Sequence, residues 1–295
     1  MMRRLLGSWL IIGICAGCAS AQQQQAPPQS PPQQPSTPSN PTPAAPAPAP
    51  AAAAAPVAAA PATGALTPDS PVDDILDALD RRGKELNDFT ANVTLTDTDT
   101  ALGNETKLTG VIRMQRLGAD DARLRVNFDR KEVNDKVTND RQEYMLAGGM
   151  LTERNYADTK EIRRQVLKPG QKMNLLKLGE GPFPLPLGQD KADVHKMFDV
   201  KKFPPAPDDP AGTIHAQLVP KKGSQFEDRF ATIDFWVDPQ SRMPVRIVTQ
   251  DPNGTTQRAT ELKDVKINAN LTDKDFVLEP IDEKKWEIRS QAYED

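Results

Sequence analysis

Few side chains in this sequence could do covalent or acid–base chemistry, and their placement points away from catalysis. Both cysteines, Cys15 and Cys18, lie near the start, so the rest of the chain holds no thiolate and no disulfide. The two histidines, His195 and His215, are far apart in the sequence, and His195 lies beside acids in a short helical stretch, where it reads as solvated. The pairs Asp73-Asp74, Asp120-Asp121 and Asp208-Asp209 read as surface or turn acids rather than calcium ligands. No nucleophile elbow, phosphate loop, HExxH or paired-cysteine zinc spacing occurs. These features predict a protein that is not an enzyme and that needs neither a cofactor nor a metal.

The chemistry that remains is acylation of a cysteine. Arg3 and Arg4 precede an apolar run from Leu5 to Ile14, too short to span a membrane as a helix, which ends in Cys15-Ala16-Gly17-Cys18. Small residues before a cysteine resemble the lipobox of bacterial lipoproteins, and the resemblance implies cleavage before Cys18 and lipidation of its thiol. Ala19-Ser20-Ala21 offers the alternative, an ordinary small-x-small cleavage site that would leave a soluble product. Either route predicts export, with residues 1–21 as the signal. Ala19 after the cysteine resembles an outer-membrane sorting choice.

From Gln22 to Pro68 there is no charged residue, and these 47 positions hold 14 of the 28 prolines. Such a segment cannot bury enough apolar surface to fold, so residues 22–68 read as a disordered tether, about 140 Å long if fully extended. Residues 69–295 then carry 35 basic and 41 acidic side chains, since only Arg3 and Arg4 precede them. That balance argues against a nucleic-acid partner. Leu, Ile, Val and Phe make up 53 of these 227 residues, enough for one folded domain with a modest core.

Ser70-Pro71-Val72-Asp73 reads as a helix start, with Ser70 as N-cap and Pro71 at the first helical position. Val72, Ile75, Leu76, Leu79 and Leu86 then form one apolar stripe that includes Gly83, and the helix should end near Asn87. The period next changes to two. Phe89, Ala91, Val93 and Leu95 share one face of a strand. Leu108, Gly110, Ile112 and Met114 share the inward face of the next, and Leu124, Val126 and Phe128 that of a third. Tyr144-Met145-Leu146 and Ile162 to Leu167 extend the sheet, with Gly148-Gly149 as a tight hairpin turn. Ile214 to Val219 form a further strand. Ile233, Phe235 and Val237 alternate in the next, and Asp238-Pro239 turns into Val245 to Thr249, with Val245 and Ile247 inward. Asp251-Pro252-Asn253-Gly254 turns into Thr256 to Ile267. The grammar predicts a mainly β (α+β) fold: a meandering antiparallel sheet, polar on one side, curled around its apolar face.

Between Lys177 and Gly188 proline recurs at alternate positions, which excludes helix and central strand. Phe183, Leu185 and Leu187 on this stiff loop must be buried, and the mouth of the curled sheet is the available place. Asp190 should cap a short helix carrying Val194, Met197 and Phe198.

This order of parts resembles the bacterial lipoprotein carriers of the Lol system, LolA and LolB, over most of residues 71–281. The resemblance rests on the N-terminal amphipathic helix, the Phe89-Thr90-Ala91 strand and the Gly110-Val111-Ile112-Arg113-Met114-Gln115-Arg116 strand. It continues through the Asp-Pro and Asn-Gly turns to Leu262-Lys263-Asp264-Val265-Lys266-Ile267-Asn268 and Asp275-Phe276. It implies an incomplete antiparallel β-barrel with a lid over an apolar concavity that takes acyl chains. It also implies a gating role for Arg116, through hydrogen bonds to the lid. Counted by two from Leu108, Arg116 falls in the inward row, where it must meet the rim or an acceptor; alternatively the strand ends at Gln115 and Arg116 is solvated.

The expected function is non-catalytic binding of lipoprotein acyl chains or other lipids at the periplasmic face of the envelope, by a monomer lipid-anchored in the outer membrane. Candidate walls are Phe89, Ala91, Val93, Leu95, Leu108, Ile112, Met114, Leu124, Val126, Phe128, Ile233, Phe235, Val237, Val245 and Ile247. Arg116, Phe183, Leu185 and Leu187 are the candidate lid or gate. The alternative on the same fold is an envelope sensor or protein-interaction module without lipid cargo.

Overall fold

A computed structural model describes residues 66–119, 121–168, 170–172, 175–176 and 187–293. Cys18, Phe183, Leu185, the signal segment and nearly all of the 22–68 tether lie outside the described residues. The first described residues are packed against the rest: Leu66 is buried, and the Lys202 ammonium donates to the Pro68 carbonyl at 2.8 Å.

Helix α1 spans Val72–Glu85, and Ile75, Leu76, Ala78, Leu79 and Gly83 form its buried stripe. It starts one residue later than Ser70-Pro71 suggested, with Pro71 as the capping position. The Ser70 hydroxyl is already engaged, accepting from the Thr67 amide at 2.9 Å in the preceding turn. Asp73 and Asp74 in the first turn and Arg82 and Lys84 in the last complement the helix dipole.

Strands β1 (Asp88–Asp99), β2 (Asn104–Gly118) and β3 (Asp121–Val133) are the long central members, followed by the short β4 (Lys136–Thr138). The chain continues through β5 (Gln142–Ala147), β6 (Met150–Asn155) and β7 (Lys160–Gln165). Helix α2 (Lys191–Met197) leads into β8 (Phe198–Lys202), β9 (Ile214–Pro220), β10 (Thr232–Asp238), β11 (Met243–Gln250) and β12 (Thr256–Ile267). A short 3-10 turn at Asp273–Phe276 precedes β13 (Glu287–Gln291).

These strands make one sheet in the order β13-β7-β6-β5-β3-β2-β1-β12-β11-β10-β9-β8, with β4 on β3. The end strands do not meet, so the curved sheet stays open, as expected of an incomplete barrel. Register shifts in the β1–β12, β2–β3 and β10–β11 pairs insert bulges, which bend a sheet. The Gly148-Gly149 turn has φ of +57° and +76°, the left-handed pair that a two-residue hairpin needs.

Three features depart from the sequence reading. Phe198 is the first residue of β8, not part of α2, whose cap is Asp190 accepting from the Ala192 amide at 2.8 Å. Strand β13 pairs parallel with β7, outside the antiparallel meander. Val245 is the extra residue of the β10–β11 bulge: Trp236 faces Arg246 and Val237 faces Pro244, which leaves Val245 half-buried and out of the inward row.

Candidate functional site

Strand register assembles the inward side chains into rows across the sheet. Phe89, Met114, Leu124, Leu146 and Leu151 pair in turn across β1, β2, β3, β5 and β6. The next row is Ala91, Ile112, Val126, Tyr144 and Glu153. On the other side, Leu95 continues through Thr260, Ile247, Phe235 and Ala216. Every candidate wall residue except Val245 is buried, none of them more than 4% exposed, and Phe89, Val93, Phe128, Ile233, Phe235 and Val237 reach 0%. These wall residues are therefore sealed from solvent and packed against protein atoms.

Helix α1 contributes to that seal. Arg116 settles its position. Strand β2 runs on to Gly118, so Arg116 lies in the inward row opposite Ala122, and the reading in which the strand ends at Gln115 does not hold. Its guanidinium donates to the carbonyls of Gly83 and of Lys84, the latter at 3.2 Å, and its amide donates to Asn87 O at 2.7 Å. A cation on the unpaired carbonyls at a helix C-terminus is favourable on both hydrogen-bond and dipole grounds. Because an inward-row side chain reaches them, α1 lies on the concave side. Two further ties hold its C-terminal end: Arg82 Nε donates to Ser241 O at 2.7 Å, and Arg242 meets Glu85 at 2.6 Å.

Leu187 and Gly188 run against the buried side of α1. Leu187 is fully buried, and the Gly188 amide donates to Leu79 O at 3.3 Å. The approach is possible only because two glycines meet: a Cβ on Gly83 would stand 2.0 Å from Gly188 N. Next to them Gln189 is buried at 5% exposure, yet neither Nε2 nor Oε1 of its amide has a partner. Each such group costs about 1–3 kcal/mol. Helix α2 flanks α1 through Lys191–Asp77 at 2.7 Å and His195–Asp73 at 2.9 Å, and His195 is partly exposed there, as expected.

A cavity of about 230 Å³ opens where β3 and the β5–β6 hairpin meet the following loop. Ala122, Leu146, Leu167 and Leu175 supply its apolar lining, with Asp121 and Lys172 at the polar side. It is smaller than the roughly 300–1,000 Å³ usual for ligand pockets.

Sequence reasoning missed the polar groups. On the concave face Asp97 and Arg258 form a two-point ion pair at 2.5 and 3.1 Å, and Glu153 meets Arg164 at 3.0 Å. Burial pushes the Glu153 carboxyl up, and Arg164 offsets part of that. The signal was present in the continued alternation, since Asp97 follows Leu95 in phase. On the opposite face Glu143 is fully buried beneath the C-terminal segment and accepts from Asn127, Arg125 at 2.9 Å, Arg141 at 3.1 Å and Tyr156 at 2.5 Å. Burial alone would raise its pKa, but the hydrogen bonds from Tyr156, Arg125 and Arg141 outweigh that and hold it below the usual carboxylate range. His215 is stacked between Phe203 at 4.9 Å and Trp236 at 4.2 Å and bonds Asp234 at 2.9 Å. Among the described residues no cluster of metal-ligating side chains occurs, and no helix is long and apolar enough to cross a membrane.

No family model and no curated protein matches the sequence. Similar solved structures include a LolA superfamily protein from Nitrosomonas europaea, 13% identical over 69% of this chain and 96% of that one, with a TM-score of 0.27. A domain described as an outer membrane lipoprotein-sorting protein, from Vibrio parahaemolyticus, is 10% identical over 68% of this chain and 95% of its own, with a TM-score of 0.29. The complex of MucA and MucB from Pseudomonas aeruginosa is similar at 12% identity and a TM-score of 0.38, over 70% of this chain and 60% of that one.

Proposed function

We propose that this protein is a non-catalytic envelope protein whose concave face receives acyl chains of lipoproteins or other lipids, and that α1 with Leu187–Gly188 is its cover in the closed form. The supporting observation is a sheet-wide apolar face beneath a cover fastened by a few polar ties: Arg116 on Gly83 and Lys84, Arg82 on Ser241, Arg242 on Glu85. Polar ties at an edge exchange readily with water, and the glycine contact between Gly83 and Gly188 has no interlocked side chains to separate. The unpartnered Gln189 amide adds a cost to the closed form that opening relieves. A few hundred square ångströms of acyl surface would contribute several kcal/mol of gross affinity at about 25 cal/mol per Å², against which opening is set.

A leader ending at Cys18 fits a lipid anchor on the periplasmic side of the envelope, with the uncharged 22–68 segment as tether and the outer membrane as the site. Radiolabelled palmitate should enter the protein and be lost in Cys18→Ala. No label in the wild type leaves cleavage after Ala21 as the route. The second reading, an interaction module with no cargo, is favoured by one observation: the candidate wall residues other than Val245 are already packed to 4% exposure or less. Titration of the purified protein with a dansyl-labelled fatty acid separates the two. Saturable fluorescence that palmitate displaces is expected of the acyl-binding protein, and a flat titration would leave the module.

A further inference from the structure

A bowl that held only alkyl chains would have no use for charges inside it, yet two ion pairs stand on this concave face. One of them, Asp97–Arg258, stands at the far end of β1 from Phe89. The row from Phe89 to Leu151 is apolar until it meets Arg164 on β7, and two residues farther along the strands the next row carries Tyr144 and Glu153 before Ile162. The next holds Gln142 opposite Phe128, and at the far end Asp97 faces Arg258 and Arg258 faces Thr249. From Phe89 to Asp97 the strand climbs about 27 Å at roughly 3.4 Å per residue.

Further polar groups share this face. Tyr144 donates to Gln142 Oε1 at 3.0 Å, and its phenol lies in the electrostatic field of Glu153 on β6, Arg258 on β12 and Asp97 on β1. Asp97 on β1 and Arg258 on β12 form the pair at the far end. Thr249 and Thr260 are buried beside it. The pairs are not sealed as the apolar rows are: Asp97 and Arg258 keep 19% and 22% of their side-chain surface, Glu153 and Arg164 keep 17% and 32%. Stability does not explain them, because apolar replacements of a part-buried pair are often neutral or better. Arg258 spends only Nε and Nη2 on Asp97. Its remaining guanidinium protons are donors left for something else, as the five-donor fork allows.

We infer that this end is a head-group subsite. An acyl amphiphile lies along the concave face with its tail toward the Phe89–Met114–Leu124 row, and an acceptor oxygen of its head bonds the Arg258 guanidinium beside Asp97. This rests on the acyl-binding reading above and deepens it, from alkyl chains in general to chains bearing an oxygen acceptor at the head. Two sources share that chemistry, a free fatty-acid carboxylate and an acyl ester carbonyl.

The test is displacement of a dansyl-labelled fatty acid from the full-length protein by palmitate, by monopalmitoylglycerol and by headless hexadecane, in wild type and in Arg258→Gln. The wild type should prefer at least one headed chain over hexadecane by about tenfold or more, the ratio that one charge-assisted hydrogen bond carries. Arg258→Gln should remove that preference and leave hexadecane unchanged. A loss limited to palmitate identifies the carboxylate, and a loss for both headed chains identifies the carbonyl. The double variant Asp97→Leu with Arg258→Met removes both charges together, which keeps the fold, and should bind all three chains alike. Equal preference in wild type and both variants overturns the subsite while leaving acyl binding intact. Failure of any chain to bind the wild type overturns both.

Discussion

Replacing Gly83 by alanine should loosen the cover, against the ordinary expectation for a glycine inside a helix. On an isolated helix the change stabilises by about 1 kcal/mol. Here the new Cβ would lie 2.0 Å from Gly188 N, 2.2 Å from Gly188 Cα and 2.8 Å from the Leu187 carbonyl carbon. All three are backbone atoms, so the Leu187–Gly188 segment must move away from α1 by more than an ångström. That movement breaks the Gly188–Leu79 hydrogen bond, which contributes about 1 kcal/mol, and exposes Leu187, whose full burial is worth about 1.5–3 kcal/mol. The helix gain roughly cancels the lost hydrogen bond, leaving a net loss of about 1.5–3 kcal/mol. At about 2–4 °C per kcal/mol for a domain of this size, Tm should fall by about 3–12 °C. Gly188→Ala provides the comparison, because its Cβ has ordinary room, 3.5 Å from Gly83 Cα. Its φ of +68° instead costs about 1–2 kcal/mol through the backbone alone. Thermal unfolding gives the stabilities, and hydrogen exchange over residues 187–190 should accelerate in Gly83→Ala. A Gly83→Ala protein with a raised Tm and unchanged exchange would refute the close contact and the cover built on it.

Arg116→Met keeps the length of the side chain but removes the donors to Gly83 and Lys84, so exchange in the last turn of α1 should rise by about tenfold, measured by mass spectrometry. Glu143→Gln leaves three cationic or phenolic donors facing a weaker acceptor and should cost about 3–5 kcal/mol in urea unfolding, the range for breaking a buried pair. Because the folded-state pKa of Glu143 is depressed, its contribution is complete at pH values above the unfolded carboxyl pKa of about 4.3 and is lost as pH falls through the folded value. Wild-type stability should therefore fall in acid, and more steeply than that of Glu143→Gln. Phe235→Ala, at a fully buried inward position, should cost about 3–5 kcal/mol, whereas Val245→Ala on the bulge should cost less than about 1.5 kcal/mol by the same urea measurement.

The inward rows were legible because β1, β2, β3 and β10 hold a strict period of two, which places Phe89 through Leu95 and Ile233 through Val237 on one face. Val245 was misassigned for a local reason. A bulge adds a residue between the partners of Trp236 and Val237, and alternation counted through it shifts phase. Strand β13 left no trace in the pattern, since Glu287, Arg289, Ser290 and Gln291 are exposed and only Ile288 is partly covered. Its parallel pairing with β7 depends on a return of the chain that residue types do not encode. Glu143 and Glu161 resemble surface acids in sequence, but both are fully buried because arginines from neighbouring strands meet them. The Asp97–Arg258 pair is likewise visible only once β1 and β12 are known to be neighbours. Position along a strand is local information, and a charge partner 161 residues away is not.

Native mass spectrometry of the protein extracted from its own membranes bears most directly on whether the concave face takes lipid cargo. An acyl-binding bowl predicts a population carrying non-covalent acylated species, released by organic extraction and lost when Phe235 or Val93 is replaced by a charged residue that leaves the fold intact by circular dichroism. A protein that emerges only at its bare or anchor-modified mass, with a lipid-free extract, would contradict the account.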